Sequence, residues 1–251
     1  YDGTAYAGWQ RQLNGLAVQQ VLEEKLSEVC KAPVTITGAS RTDAGVHALG
    51  QAFHFDTESR IPPEKWPFVL NTMLPRDIRV HTGRAVPDGF HARFMTCGKR
   101  YTYRICNDRH GTAIRRNDHA HVVLPLDADV MNAAAQDLLG THDFAAFQAS
   151  GGTAKTTIRT IRFVQVTRQG DEVTLIVEGD AFLYNMVRII AGTLIEIGTG
   201  KRGADAFRRA LVSLDRLDLG VTAPACGLEL TRVDYPEAAF LAPQDVRRHE
   251  E

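Results

Sequence analysis

The sequence predicts an α+β fold, mainly antiparallel sheet with helices on one face, and three observations predict it. Segments with period-2 alternation and segments with the 3.6-residue helical period arrive in mixed order, without strict βαβ alternation. Two strand-like runs, 160–167 and 172–178, follow one another with no helix between them. A helix-then-strands block occurs in both halves, the pattern an old duplication would leave. The chain has 251 residues, 44% of them hydrophobic and 24% charged. That is enough to bury a substantial core, as one large domain or two small ones.

The elements follow in order. Residues 16–29 read as a helix, with Val18, Val21, Leu22, Leu26 and Val29 near the helical period and Glu23, Glu24, Lys25 and Glu28 opposite. Val34-Thr35-Ile36-Thr37 is a short strand, and 49–56 alternates as a strand does. Pro62, Pro63, Pro67 and Pro75 leave room for only a short helix over 68–73. Residues 99–106 are rich in strand formers. Asp127 is placed to cap a helix that runs to Leu139, with Gly140 as its stop. A polar, glycine-containing loop covers 148–157. An apolar helix spans 182–197, and a shorter one 204–214. The charged end, 245–251, reads as frayed. The best boundary lies near 85–98, dividing a first lobe, 1–92, from a second, 93–251.

Composition excludes several classes. No apolar run approaches the roughly 20 residues that span a bilayer, and no secretory signal is visible, although the sequence opens at Tyr1 without an initiator methionine. Cys30, Cys97, Cys106 and Cys226 form no C-x-x-C pair, which argues against a zinc ribbon or disulfide scaffold and fits a reducing cytoplasm. The net charge is −1, but the distribution tells more than the sum. Between residues 93 and 116 stand Arg93, Lys99, Arg100, Arg104, Arg109, Arg115 and Arg116 against Asp108, with Tyr101 and Tyr103 interleaved. Cations neutralise phosphates and aromatic faces stack on unpaired bases; the alternative is a solvated strand face with core tyrosines.

The densest chemistry lies at 38–51, Gly-Ala-Ser-Arg-Thr-Asp-Ala-Gly-Val-His-Ala-Leu-Gly-Gln. Glycines allow positive φ or a close approach, and charged groups on a loop held by a strand are where binding and catalysis concentrate. Asp43 is either a turn aspartate bonding its own backbone or a carboxylate held for chemistry. Arg188 is a second oddity, a cation in the apolar run 182–192. It needs a carboxylate, a phosphate or a route to solvent. Pairing with Asp43 would keep that carboxylate ionised, as a nucleophile or base requires. No phosphate-binding glycine loop, dinucleotide fingerprint or G-x-S-x-G is present, so no cofactor is expected. His119-Ala120-His121 puts two imidazoles on one strand face, without a third metal ligand at suitable spacing.

Six blocks in order carry a resemblance. Tyr1-Asp2-Gly3-Thr4 with Gly8-Trp9-Gln10, Ser40-Arg41-Thr42-Asp43-Ala44-Gly45-Val46-His47-Ala48, and Lys99-Arg100-Tyr101-Thr102-Tyr103 are the first three. Gly140-Thr141-His142-Asp143-Phe144, Tyr184-Asn185-Met186-Val187-Arg188, and Gly227-Leu228-Glu229-Leu230 with Val233-Asp234-Tyr235-Pro236 complete them. Together they resemble the TruA-type tRNA pseudouridine synthases from Tyr1 to Pro236, and the Arg-Thr-Asp block is the specific one. Members usually have a few more residues, forming a strand, ahead of Tyr1.

The resemblance implies the pseudouridine synthase fold, two lobes around a central cleft. It also implies isomerisation of uridine to pseudouridine at positions 38, 39 or 40 of the tRNA anticodon arm, with no metal or cofactor. Asp43 would be the catalytic aspartate, Arg188 its cationic partner, and Tyr101 the ring packed on the uracil. Arg41 would help take the base out of the stack. Lys99 and Arg100 would contact the RNA, as would others such as Lys155, Arg159, Lys201 and Arg202. His47 is expected to orient the loop. A homodimer is implied, whose apposed faces would give a near-neutral chain a positive groove. Two other readings are an RNA chaperone without chemistry on the same fold, and a metal-dependent hydrolase around His119 and His121.

Overall fold

In the computed structural model, which describes residues 1–241, helix α1 forms over Val18–Cys30, where the helical repeat predicts it. The expected fraying of 245–251 lies outside the described residues. Val18, Leu22 and Leu26 are fully buried on one face of α1, and each contributes about 1.5–3 kcal/mol. The chain divides into two compact units, Tyr1–Cys97 together with the chain from Val233 onward, and Gly98–Arg232.

In the first unit, α1 packs with α2, Trp66–Met73, around a core of Tyr6, Trp9, Ile36, Trp66, Leu70 and Ile78. Helix α2 starts two residues before the expected 68 because Pro67 sits in its first turn, where the missing N–H leaves nothing unsatisfied. The strands here are short: β1 is Thr37–Gly38, β2 is His47–Ala48 and β3 is Phe53–His54, with β1 and β3 antiparallel. The runs 34–37 and 49–56 therefore make less ladder than their alternation predicts. Side chains take the place of strand neighbours. Ser27 Oγ accepts from Val34 N–H and Glu23 from Ile36 N–H, while the Gln51 amide bonds both Ser40 N–H and Ser40 carbonyl.

The second unit is built on a mainly antiparallel sheet, in keeping with the α+β prediction. Its elements are β4 (Gly98–Cys106), β5 (Ala120–His121), α3 (Ala128–Ala135), β6 (Gly140–Asp143), β7 (Ile158–Gln169), β8 (Glu172–Gly179), α4 (Met186–Gly198), α5 (Ala206–Ser213) and β9 (Leu228–Asp234). Strand order is β9-β4-β8-β7-β6, with β5 parallel beside the end of β4. The β4–β8, β8–β7 and β7–β6 pairs are antiparallel. Helix α3 packs on β7 and α4, and α4 packs on β4.

Asp127 caps α3 as predicted, accepting from Asp129 and Val130 N–H at 3.1 and 3.0 Å. The helix stops short of 139, tightening into a 3-10 turn over Gln136–Leu138. The apolar helix begins at Met186, not 182, because Asn185 takes the left-handed conformation at φ 60°. Strand β5 falls within 119–121, which the sequence reading places on a strand, and β6 and β9 are additions to that reading. None of the helices in the described residues is long and apolar enough to cross a membrane.

Candidate active site

Loop 38–51 belongs to the first unit, between β1 and β3, with β2 inside it. Val46 N–H donates to the Asp43 carbonyl at 3.1 Å, and Gly45 has φ +76°. Asp43 thus opens a four-residue turn whose third position needs the positive φ that glycine supplies. The turn is fastened to the N-terminal segment. Trp9 N–H donates to the Thr42 carbonyl at 3.0 Å, Gly45 N–H to the Tyr6 carbonyl at 3.3 Å, and Tyr1 Oη lies 2.7 Å from Thr42 Oγ1. His47 is buried, and its Nδ1 accepts from Gly3 N–H at 3.1 Å, tying the two segments together. The glycines of the opening motif lie at the closest approach. A Cβ on Gly3 would stand 2.0 Å from the Val46 carbonyl oxygen.

Asp43 is half-buried and Arg41 exposed. Arg41 makes no ion pair among the described residues. Arg93 lies beside it, its Nε donating to the Gly38 carbonyl at 3.4 Å. Burial, and then the positive charge of Arg41, lower the Arg93 pKa below the usual guanidinium range. The turn carrying Arg93 rests on His54, whose Nδ1 accepts from Ala92 N–H at 3.1 Å. Burial, and then the neighbouring His91, hold His54 below its usual 6.5, so the neutral acceptor is favoured. Its unfolded pKa is the higher one, so the stabilisation is complete above pH 6.5 and is lost as pH falls through the depressed folded value. Replacing His54 with Asn, which accepts without titrating, should flatten the thermal-stability profile as pH falls below 6.5. An unchanged slope in melts of the variant would count against it.

In the second unit, strand alternation sorts the basic-aromatic run onto two faces. Tyr101, Tyr103 and Ile105 are buried on one face, which Lys99 shares. Arg100 and Arg104 lie on the other. Arg100 pairs with Glu178, its register partner on β8, and Arg104 Nη1 reaches Glu229 of β9 at 3.0 Å. Arg115 pairs with Glu172 at 2.6 Å. The structure therefore does not bring Arg100 together with Tyr101, and neighbouring strands balance much of the positive charge at 93–116. Tyr101 packs edge-on against Phe182 at 5.2 Å. Tyr103 is fully buried, and its hydroxyl donates to the Pro224 carbonyl at 2.8 Å.

Arg188 sits in the first turn of α4 and is half-buried. A cation there faces the positive end of the helix dipole. It is held by oxygens: Nε donates to the Ala223 carbonyl at 2.8 Å and Nη1 to Asn185 Oδ1 at 2.9 Å. The segment supplying Ala223 runs tight against the helix, since a Cβ on Gly192 would lie 1.8 Å from the Val221 carbonyl oxygen. Burial raises the Tyr103 hydroxyl far above its usual range, with Arg188 near enough to oppose that shift. The Arg188 helix and the tyrosine face of β4 thus lie together.

The histidine pair has other engagements. His119 Nδ1 lies 2.8 Å from Asp118 and Nε2 3.3 Å from Glu172, and His121 Nε2 lies 2.7 Å from the Asp108 carbonyl oxygen. His119 lines a polar cleft of about 540 Å³ with Cys106, Asp108 and Asp171. Among the described residues no three histidine, cysteine or carboxylate side chains are disposed to hold a metal ion.

A family model described as tRNA pseudouridine synthase matches residues 1–95 and 134–236. The chain belongs to this family. It is 46% identical over 236 residues to tRNA pseudouridine synthase A of Ruminiclostridium cellulolyticum, covering 94% of this chain and 96% of that protein. It is 47% identical over 235 residues to the same-named protein of Acetivibrio thermocellus, with 94% and 96% covered. A third, from Pseudoalteromonas atlantica, is 44% identical over 241 residues, with 96% and 92% covered. Arg41, Asp43 and Arg188 fall within the segments matched to the family model, while Lys99, Arg100 and Tyr101 fall between them.

Proposed function

We infer that this chain isomerises uridine to pseudouridine in tRNA. The observation that carries the reading is the family match, which extends over nearly the whole of both this chain and its relatives. The reaction breaks the N1–C1′ bond, turns the uracil and forms a C5–C1′ bond. The C5 proton is lost and N1 gains one, so composition is unchanged and no electron donor enters.

Asp43 is the catalytic carboxylate in this reading. It adds to the ribose C1′, adds to the base, or removes a ribose proton to give a glycal, and each route needs it ionised and in contact with the extruded nucleotide. The turn at 43–46, fixed by the Tyr1–Trp9 segment, favours the role because it presets the carboxylate before substrate arrives. Arg188 is the proposed cationic partner that keeps Asp43 ionised, and its anchorage to Ala223 and Asn185 makes it a fixed charge. Tyr101 is assigned to the uracil ring, Arg41 to the extrusion of the base, and Lys99 to RNA on the face it shares with Tyr101. Arg100 would contact RNA only in exchange for its Glu178 partner. The anticodon-arm target at positions 38–40, a two-lobed cleft, a homodimer and a cytoplasmic site of action are parts of the same proposal that come with the resemblance.

The test is incubation with unmodified tRNA transcripts followed by mapping of pseudouridine. Modification at positions 38–40 is expected. Binding without any pseudouridine would favour the chaperone reading, and absence of both would overturn the tRNA assignment.

A further inference from the structure

The turn after α2, Leu74-Pro75-Arg76-Asp77-Ile78, forms a fixed bracket. Leu74 and Ile78 are buried in the core of the first unit, and Ile78 N–H donates to the Pro75 carbonyl at 3.2 Å. Arg79 Nη1 donates to the Pro75 and Ile78 carbonyls, both at 2.6 Å. The Asn71 side chain closes the bracket from α2, bonding the Val80 carbonyl at 2.8 Å and the Val80 N–H at 2.9 Å. From this bracket Asp77 offers two acceptors to the opening motif. Its carbonyl takes Asp2 N–H at 2.9 Å, and its Oδ1 takes the Tyr6 hydroxyl at 2.8 Å. Among the described residues Asp77 has no cation within ion-pair distance, so the Tyr6 hydroxyl, not a salt bridge, engages its carboxylate.

These two contacts grip the segment Asp2–Tyr6 at both ends, and Tyr6 N–H closes it as a turn on the Gly3 carbonyl at 3.0 Å. The same segment carries the loop with Asp43. The Tyr6 carbonyl accepts from Gly45 N–H at 3.3 Å, and Gly3 N–H donates to His47 Nδ1 at 3.1 Å. Tyr6 therefore joins bracket and loop, its hydroxyl on Asp77 and its carbonyl on the residue two beyond Asp43. Tyr6 is only 6% exposed, and a buried phenol left without an acceptor is costly. Burial, and then the bond to Asp77, raise its hydroxyl far above the usual tyrosine range, so it stays a donor near neutral pH. The Gly45 bond is the longest of the tethers on the Asp43 turn, so the position of Gly45 depends on where Tyr6 is held.

We propose that Asp77 is a positioning residue for the reaction, holding Tyr6 so that the Tyr6 carbonyl fixes the 43–46 turn and with it the Asp43 carboxylate. The proposal rests on the reading of Asp43 as the catalytic group and adds to it a residue outside the loop. Asp77 touches no reacting atom and acts only through Tyr6. A misplacement of about 1 Å in a reacting group can slow a reaction by about 10²-fold, so loss of this hold falls on kcat. Affinity for tRNA, which phosphate contacts elsewhere supply, is spared.

Single-turnover pseudouridine formation and tRNA binding, measured alongside thermal melts, test it. Y6F removes the hydroxyl and keeps the ring in the core. Y6F and D77A should each slow the single turnover about tenfold, with tRNA affinity within about twofold of the parent. The double variant should be no slower than either single one, because both remove the same link. D77N still offers an oxygen to the hydroxyl and should keep most of the rate. S27A, which strips the acceptor from Val34 N–H elsewhere in the unit, is the control and should lower the melting midpoint with the rate unchanged. A purely structural role would make Y6F and D77A behave like S27A, and that result refutes the proposal. So does a loss of affinity in place of rate, or a slow D77A beside a Y6F at the parent's rate. Where D77A does not fold, Y6F decides alone. Asp43→Asn in the same assay keeps the two readings apart. If it still turns over tRNA, the reading of Asp43 falls and the positioning role with it. If it is inactive while Y6F and D77A match the parent, only the role of Asp77 is lost.

Discussion

Replacing Asp43 with asparagine is expected to abolish turnover, by about 10³-fold or more, while tRNA binding stays within a few-fold of the parent. The substitution keeps the size and the turn geometry. The Asp43 carbonyl that closes the turn with Val46 N–H is untouched, and Gly45 retains its positive φ. What it removes is the negative charge, which each of the three chemical routes requires. Arg188→Leu is the companion variant. If Arg188 is the fixed cation that keeps Asp43 ionised, its loss should move the acid limb of the pH–rate profile upward as well as lower kcat. A purely structural role, through Ala223 and Asn185, would lower stability and leave the limb in place. Single-turnover pseudouridine formation from pH 5 to 8 separates the two, and an Asp43→Asn protein that still turned over tRNA would remove Asp43 from the mechanism.

How far the sequence carries this picture differs from one residue to the next. Helix α1 and the β7–β8 pair are legible because their apolar residues repeat at the period of the structure they form. The start of α4 is not, since it depends on a left-handed backbone at the single residue Asn185. That the predicted strands 34–37 and 49–56 pair only as the short β1 and β3 is not legible for another reason. The backbone around them is satisfied by Gln51, Glu23 and Ser27, and periodicity does not register side chains that stand in for a strand.

The site shows the same division. The Arg-Thr-Asp loop with its glycines announces itself, and so does an arginine in an apolar run. Alternation alone would also have put Tyr101 and Arg100 on opposite faces, a deduction available from the spacing. The glutamates that neutralise Arg100 and Arg104 were out of reach, because they come from strand register across more than 70 residues of chain. The bracing of Ala92 by Tyr235 is likewise tertiary, a contact across 143 residues.

The second large effect is expected at Gly8, where the opening motif meets the loop. Gly8 has φ +92°, and a Cβ there would lie 2.5 Å from the Thr42 carbonyl oxygen and 3.0 Å from the Asp43 carbonyl carbon. Gly8→Ala combines two penalties, about 1–3 kcal/mol for the backbone conformation and about 1–3 kcal/mol for the overlap. In a chain of this length each kcal/mol lowers the melting midpoint by about 2–4 °C. The overlap cannot be relieved by a flexible side chain, since the atoms met are backbone. It must push the 42–43 peptide, so kcat should fall along with stability. Gly151→Ala is the matched control, with φ +88° and nothing within 4 Å of the added Cβ. It carries the conformational penalty alone. Thermal melts and single-turnover rates on both variants separate the terms: a larger midpoint loss and a slower rate at Gly8 are expected. Equal losses at the two glycines, with the Gly8 variant fully active, would mean that the opening motif does not set the position of Asp43.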